Sequence, residues 1–385
     1  MSNIPLSVPS LMGREWEYVK ECIDTEWVSS AGKYVELFEE KIAEYTGANY
    51  AVACVNGTAA LQVSLRLAGV EPNDDVIIPT LTFIAPVNAI VYNGANPVFM
   101  DADNYYNIDI EKTIDFINKE TFFKNGFTYN RSTNNRISAI IPVHIWGNAV
   151  WQDTLEEICE DRNIAIVEDA SESLGTFYSA GKYKDHHSGT IGKLGCVSFN
   201  GNKIITTGGG GMILTQDKQL SEKARYLTTQ CKDDAVRYIH NEIGYNFRMT
   251  NIQAALGVAQ LEQLPKFLKR KRHIYLQYQD ALKSVAGLSI APVPDYAENN
   301  HWINLLQIDS EIYGEDRESL MERLANNGIQ TRPVWGLNHL QIPYQNCQTY
   351  QVTASERLVG SSLCIPSSTN LTDENIKKVV SHLNG

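Results

Sequence analysis

Cysteine is sparse and unpatterned in this chain. Its seven copies, at 22, 54, 159, 196, 231, 347 and 364, contain no Cys-x-x-Cys pair. Neither a disulfide framework nor a zinc ribbon is encoded, and reduced thiols are expected. Positive charge is also short: 33 Lys and Arg stand against 45 Asp and Glu, a formal net charge of −12. That balance argues against a nucleic-acid or membrane-surface binder and points to small molecules or a second copy of the chain as partners. No apolar run is long enough to span a bilayer, and the start lacks the basic-then-apolar pattern of a secretory signal, so a cytoplasmic protein is expected. Repeats and low-complexity tracts are missing too. What remains, 43% hydrophobic and 20% charged residues, is the composition of a folded globular protein.

Regular elements alternate through the first two thirds. Trp16, Val19 and Ile23, then Tyr34, Leu37, Phe38, Ile42 and Tyr45, fall at helical spacing, the second group ending at Gly47. Apolar runs at 50–55, 76–79, 97–101, 137–143 and 164–169 lack polar alternation and are separated by helical stretches. This is the pattern of an α/β domain with a mostly parallel sheet covered on both faces, its ligands lying at the carboxyl ends of the strands. The segment 119–136 reads as an exposed polar excursion. Thr250 is expected to cap a helix and Pro265 to start another, with Lys269 to Arg272 on a solvated face. Past residue 285, short apolar runs flank two helices. The expected division is a large α/β domain over 1–264 and a small C-terminal α+β domain with its linking helix over 265–385.

Four strand ends carry candidate chemistry. Gly57 and Thr58 open a helix after the first strand, where free N–H groups and a hydroxyl suit a phosphate, or where Thr58 is an ordinary cap. Phe83 begins a helix after Pro79 and either lies on a flat cofactor or joins the core. Asp169 ends an apolar strand. Lys203 follows the run Cys196–Phe199 and a break at Asn200-Gly201-Asn202, just before the glycines 208–211. A strand-end aspartate 34 residues ahead of a strand-end lysine is what a pyridoxal phosphate enzyme needs: the lysine holds the aldehyde, and the aspartate keeps the ring nitrogen protonated. Rival readings fail on detail. Ile204 stands where a P-loop needs Ser or Thr, and Ile213 where a dinucleotide fingerprint needs glycine. The pair His186-His187, in a polar run without partner ligands at usable spacing, reads as a surface loop, so no metal site is expected.

The stretches NGTAAL (56–61), PTLTFIAPVNAI (79–90), PVHIWGN (142–148), VEDASESLG (167–175), SFNGNKIITTGGGG (198–211) and GYNFRMTNIQAALG (244–257) together resemble the DegT/DnrJ-type nucleotide-sugar aminotransferases of pyridoxal 5'-phosphate fold type I, across nearly the whole chain. The resemblance implies the aspartate-aminotransferase fold, with a sheet of seven-stranded type. It implies that Lys203 binds the cofactor and shuttles protons, that Asp169 pairs with the pyridine nitrogen, that Phe83 stacks on the ring and that Glu172 sits near the ring hydroxyl. Gly57, Thr58 and Ser198 would hold the phosphate, with Asn246 reaching in from a second subunit, so at least a homodimer is implied. Lysine rather than histidine at 203 favours transamination, with L-glutamate as amino donor.

Two flanking stretches, WVSSAGKYVELFE and GIQTRPVWGLNHLQIPY, look most like the branch that acts on UDP-linked 2-acetamido-2,6-dideoxy-4-keto hexoses and makes 4-amino sugars for bacillosamine or legionaminic acid. Ser29, Ser30 and Arg332 become candidate substrate contacts, Arg332 being equally suited to a structural salt bridge. The alternatives are a dTDP- or GDP-linked 4-keto sugar, or a non-enzymatic regulator on the same fold.

Overall fold

The computed structural model describes residues 3–234 and 236–384. In chain order, the helices α1 (Glu15–Asp24) and α2 (Lys33–Thr46) lead into β1 (Tyr50–Cys54), α3 (Gly57–Ala68), β2 (Asp75–Pro79), α4 (Ile84–Tyr92) and β3 (Asn96–Met100). There follow α5 (Ile110–Lys119), β4 (Thr121–Lys124), β5 (Phe127–Asn130), β6 (Ile137–Ile140), α6 (Asp153–Asp161), β7 (Ala165–Asp169), β8 (Phe177–Tyr178), β9 (Leu194–Ser198), β10 (Gly211–Thr215), α7 (Lys218–Thr228) and α8 (Asn251–Leu282). The main sheet has the order β1-β10-β9-β7-β6-β2-β3, extended at the β3 edge by the two-residue strand Thr349–Tyr350. All pairings from β9 to that edge are parallel, and β10 alone runs against its neighbours. The chain is thus α/β with a mostly parallel sheet, as expected, with an eighth short strand lent by the C-terminal part.

The unbroken apolar runs are explained by burial on both faces. In β2, Val76 and Ile78 pack into one core cluster, and Ile77 between them packs into another on the opposite face. Each such fully buried Val or Ile contributes about 2 kcal/mol, and the period of two sets the register. A third cluster combines Ile274, Tyr278 and Leu282 of α8 with Leu306, Leu363, Ile376 and the N-terminal Ile4. It covers an antiparallel sheet of Leu288–Ile290, Asn304–Ile308, Ser362–Ile365 and Arg332–Pro333. No helix among the described residues is long and apolar enough to cross a membrane.

Several local expectations need correction. Gly47 does end α2, at φ +75°, and Thr250 does cap α8 through a reciprocal capping box with Gln253. Pro265, however, lies inside that one 32-residue helix instead of starting a new one; packing against both cores outweighs the lost backbone bond. The excursion 119–136 contains the β4–β5 hairpin, with Thr121, Thr128 and Asn130 buried. Lys271 is not on a solvated face: it is 3% exposed, and burial pushes its pKa down to about 7. Nor is His187 in a surface loop. It is fully buried, its Nε2 accepts the Gly175 N–H at 2.9 Å, and its ring packs edge-on against Phe177.

Burial pushes His187 down from 6.5 to about 3. Below pH 6.5 the unfolded chain takes up a proton that the folded state refuses until about pH 3, so stability falls with pH across that window, by up to about 1.4 kcal/mol per unit. His187→Gln keeps an acceptor for Gly175 and removes the titration. Its melting temperature is expected to fall less steeply than the wild type's between about pH 6.5 and 4; parallel curves would refute this account.

Candidate active site

Strands β1, β2, β7 and β9 all leave the sheet at one edge, and the segments that follow them meet there. After β1, the Asn56 side chain caps α3 by accepting the Ala59 N–H at 2.8 Å. Thr58 is therefore not the cap. Among the described residues the N–H groups of Gly57 and Thr58, and the Thr58 hydroxyl, have no intramolecular partner, so the positive end of the helix is open to an anion. A Cβ on Gly57 would stand 2.9 Å from the Ser198 Cβ and 3.4 Å from the Ser171 Oγ. Only glycine lets the helix start come this close to the end of β9.

At the end of β7 two neighbouring carboxylates face opposite sides of the strand. Glu168 is fully buried and accepts hydrogen bonds from His144 Nε2 (2.8 Å), Gln152 Nε2 (2.5 Å) and the N–H groups of Gly189, Ile191 and Gly192 (2.9, 2.7 and 2.6 Å). Burial opposes its ionisation, but the His144 bond and these N–H donors hold its pKa below the ordinary carboxylate range. Because Val150 N–H donates to His144 Nδ1 at 3.0 Å, the ring proton sits on Nε2, toward Glu168. Asp169 lines the cavity instead. Its Oδ1 accepts the Ser171 N–H at 3.0 Å, and burial pushes its carboxyl upward.

Lys203 follows β9 in the excursion that β10 closes. Its Nζ lies 3.0 Å from Glu172 Oε1 and 4.2 Å from the centroid of the Trp302 ring. Glu172 Oε2 accepts the Trp146 N–H at 2.8 Å, and burial raises its carboxyl against the pull of the lysine. Phe83 is half exposed at the cavity edge, 5.9 Å from Trp335, which in turn stacks on Trp146 at 5.1 Å. The cavity so enclosed measures about 290 Å³ and is lined by Gly57, Thr58, Phe83, Asp169, Glu172, Ser198 and Lys203, among others.

The remaining candidates stand elsewhere. Ser29 and Ser30 lie in an exposed loop, where the Ser29 carbonyl accepts the Asn251 N–H at 2.6 Å. Asn246 is exposed and lies outside this chain's own cavity. Arg332 is exposed and forms no salt bridge among the described residues; its guanidinium donates to the Thr331 carbonyl at 3.3 Å. Sequence reasoning missed Ser171, Asn200, Asn202, Trp302 and Trp335 as wall residues. Ser171 was legible as the residue two after the strand-end aspartate. Nothing local marks Trp302, whose apolar run reads simply as a strand.

The residues fit pyridoxal phosphate. The open N–H groups beside a glycine that a Cβ would fill suit the phosphate. A buried carboxyl with a single N–H partner would be relieved by a cationic ring nitrogen, and an enclosed primary amine completes the set.

The sequence pattern of the DegT/DnrJ/EryC1/StrS aminotransferase family matches residues 9–384. A GDP-perosamine synthase of Escherichia coli O157:H7 is 37% identical over 385 residues, covering 100% of this chain and 98% of its own length. The GDP-perosamine synthase of Caulobacter vibrioides is 36% identical over 388 residues, covering 100% and 99%. Among solved structures, DesI in the presence of its TDP-sugar product superposes with a TM-score of 0.88 at 27% identity, over 100% of this chain and 93% of that one.

The geometry at the start of α3 is testable. Gly57→Ala must push the helix from Ser198 and is expected to weaken pyridoxal phosphate binding about tenfold, a loss of roughly 1.4 kcal/mol, as read by absorbance titration of the cofactor-free chain. Unchanged affinity would remove the phosphate from this cradle.

Proposed function

Because the chain belongs to the DegT/DnrJ/EryC1/StrS aminotransferase family, we propose that it moves the amino group of L-glutamate to C4 of a GDP-linked 4-keto-6-deoxy sugar, supplying an amino sugar for polysaccharide synthesis. The family is one of pyridoxal phosphate-dependent sugar aminotransferases, and the bound cofactor supplies an electron sink that carries the amino group between the two substrates. The observation that carries the reading is the enclosed Lys203 Nζ, 3.0 Å from Glu172 in the cavity that Asp169 also lines. Lys203 would anchor the aldehyde and, when free, would take and return the proton at the reacting carbon. Asp169 would hold the ring nitrogen's proton, Phe83 would lie on the ring and Glu172 would sit near the ring hydroxyl. Gly57, Thr58 and Ser198 take the phosphate.

The UDP-2-acetamido expectation rests on two flanking stretches alone. Two full-length relatives that make GDP-perosamine shift the choice of nucleotide to GDP. Ser29, Ser30 and Arg332 remain proposed contacts for the nucleotide sugar, and Arg332 has a guanidinium available for a diphosphate or carboxylate. We also infer a homodimer in which Asn246 completes the partner's phosphate site. Its exposed position supports this, as do the exposed apolar side chains of Val236 (83%) and Ile243 (79%) on the same stretch of chain.

Two experiments decide these points. With pyridoxal phosphate bound, L-glutamate should abolish the visible absorbance band, and only the true acceptor should restore it; GDP-, UDP- and dTDP-linked 4-keto-6-deoxy sugars are offered in turn. Restoration by the UDP-2-acetamido sugar alone would overturn the GDP assignment, and a Lys203→Ala chain that still transaminates would overturn the chemistry. Mixing Lys203→Ala with Asn246→Ala, each inactive alone, should regenerate activity after subunit exchange. No regeneration between chains shown to exchange would mean that Asn246 does not act across the interface.

A further inference from the structure

Lys203 must alternate between a bond to the cofactor and a free amine, and the free amine needs a fixed resting place beside the reacting carbon. The side chain is long and flexible, and its own loop holds it only by the Lys203 N–H to Asn200 carbonyl turn at 3.0 Å. Besides Glu172, which meets Nζ at 3.0 Å, its restraint comes from a residue about a hundred positions away. Trp302 is 1% exposed and lines the cavity. Its indole N–H donates to the carbonyl of Asn202, the residue just before the lysine, at 2.7 Å, while the face of the same ring lies 4.2 Å from Nζ. One side chain thus grips both the backbone and the amine of the lysine.

Trp302 is itself held at both its carbonyl and its N–H. Its carbonyl accepts from the buried Lys271 Nζ at 2.7 Å, and that ammonium also donates to the Ser367 carbonyl at 2.5 Å. Its N–H donates to Asn300 Oδ1 at 2.9 Å, and the Asn300 amide donates onward to the carbonyls of Glu172 (2.8 Å) and Leu174 (3.0 Å). Glu172 is the other partner of Nζ, so the contacts close into a ring: Lys203, Glu172, Asn300, Trp302, Asn202, Lys203. The turn that delivers the indole is strained, with His301 at φ +50°, a conformation that persists only where surroundings over-determine it. His301 is held by stacking on Tyr275 at 4.2 Å.

We propose that Trp302 is the positioning residue of Lys203, clamping its backbone through the indole N–H and its free ammonium through the ring face, with Lys271 and Asn300 fixing the clamp. The inference rests on the reading of Lys203 as the cofactor's lysine. The ring face and Glu172 together hold the amine in one place, beside the two carboxyl groups of Glu172 and Asp169 that line the cavity with it, so that it meets the reacting carbon from one position.

The test uses the full-length holoenzyme in wild-type, Trp302→Leu, Trp302→Phe and Lys271→Met forms. After glutamate treatment frees the lysine, labelling of Lys203 by trinitrobenzenesulfonate is followed at the peptide level, and kcat and KM for glutamate are measured alongside. Losing a desolvated cation–π contact and one hydrogen bond is expected to speed labelling about tenfold and lower kcat by a similar factor, with KM for glutamate nearly unchanged. Trp302→Phe keeps the ring and should fall between, as should Lys271→Met, which leaves the indole but frees its backbone. These two carry the test should Trp302→Leu not fold. Variants that lose thermal stability while labelling and kcat stay at wild-type values would reduce Trp302 to a packing residue and overturn the proposal. Borohydride reduction of the wild type keeps the two claims apart. If the cofactor is not recovered on the Lys203 peptide, the reading of the lysine fails; if it is recovered there but labelling is unaltered in the variants, only the clamp fails.

Discussion

The site depends on a buried carboxyl group that lines the cavity. Asp169 ends a buried parallel strand, and its position is set by its neighbour Glu168, whose five hydrogen bonds tie the strand end to the 189–192 loop and to His144. A buried carboxylate costs several kcal/mol unless its lone pairs are met. Glu168 meets its own in full, which makes it a rivet. Asp169 has one N–H donor and lines the cavity, where a cation would favour its charged form. Two adjacent residues of the same chemistry thus take opposite tasks because strand geometry turns them to opposite faces.

The antiparallel return of β10 is the second constraint. A parallel crossover after β9 would have needed a helix and a long connection. A strand that turns straight back instead keeps Lys203 within a short loop, and Gly211 makes the return possible: a Cβ there would sit 2.5 Å from the Asn56 carbonyl group. The start of α3 and the lysine loop are therefore neighbours by close backbone approach as well as by shared side chains.

Much of this was legible in the sequence, because the informative signals are local. Unalternating apolar runs marked the strands, Gly47 and Thr250 marked helix ends, and the residues after four strand ends marked the cavity. The failures share a cause. His187 and Lys271 are polar residues in polar surroundings along the chain, and only tertiary packing buries them, one against Gly175 and Phe177, the other under two carbonyls. Pro265 looked like a boundary because local propensity disfavours it inside a helix, whereas the two cores on either side hold α8 straight through it. Trp302 could not be assigned because its meaning lies in its distance from Lys203 in space. Ser29, Ser30, Asn246 and Arg332 stand outside the cavity of a single chain, and for Asn246 the resemblance had implied a place in a second subunit's site.

The small sheet has a consequence for how the molecule comes into being. Ile4 pairs with Ile329 across a parallel bridge and packs into a cluster built mostly from residues beyond 270. Trp302 and Trp335, two walls of the cavity, also come from that late stretch. As the chain leaves the ribosome from its N-terminus, the main sheet can collapse early, yet its first residues have nowhere to dock and its lysine has no clamp until the last quarter has emerged. A nascent or prematurely ended chain therefore holds most of the scaffold and an open pocket that lacks its two late tryptophan walls, and the cavity around Lys203 closes only when synthesis is nearly over.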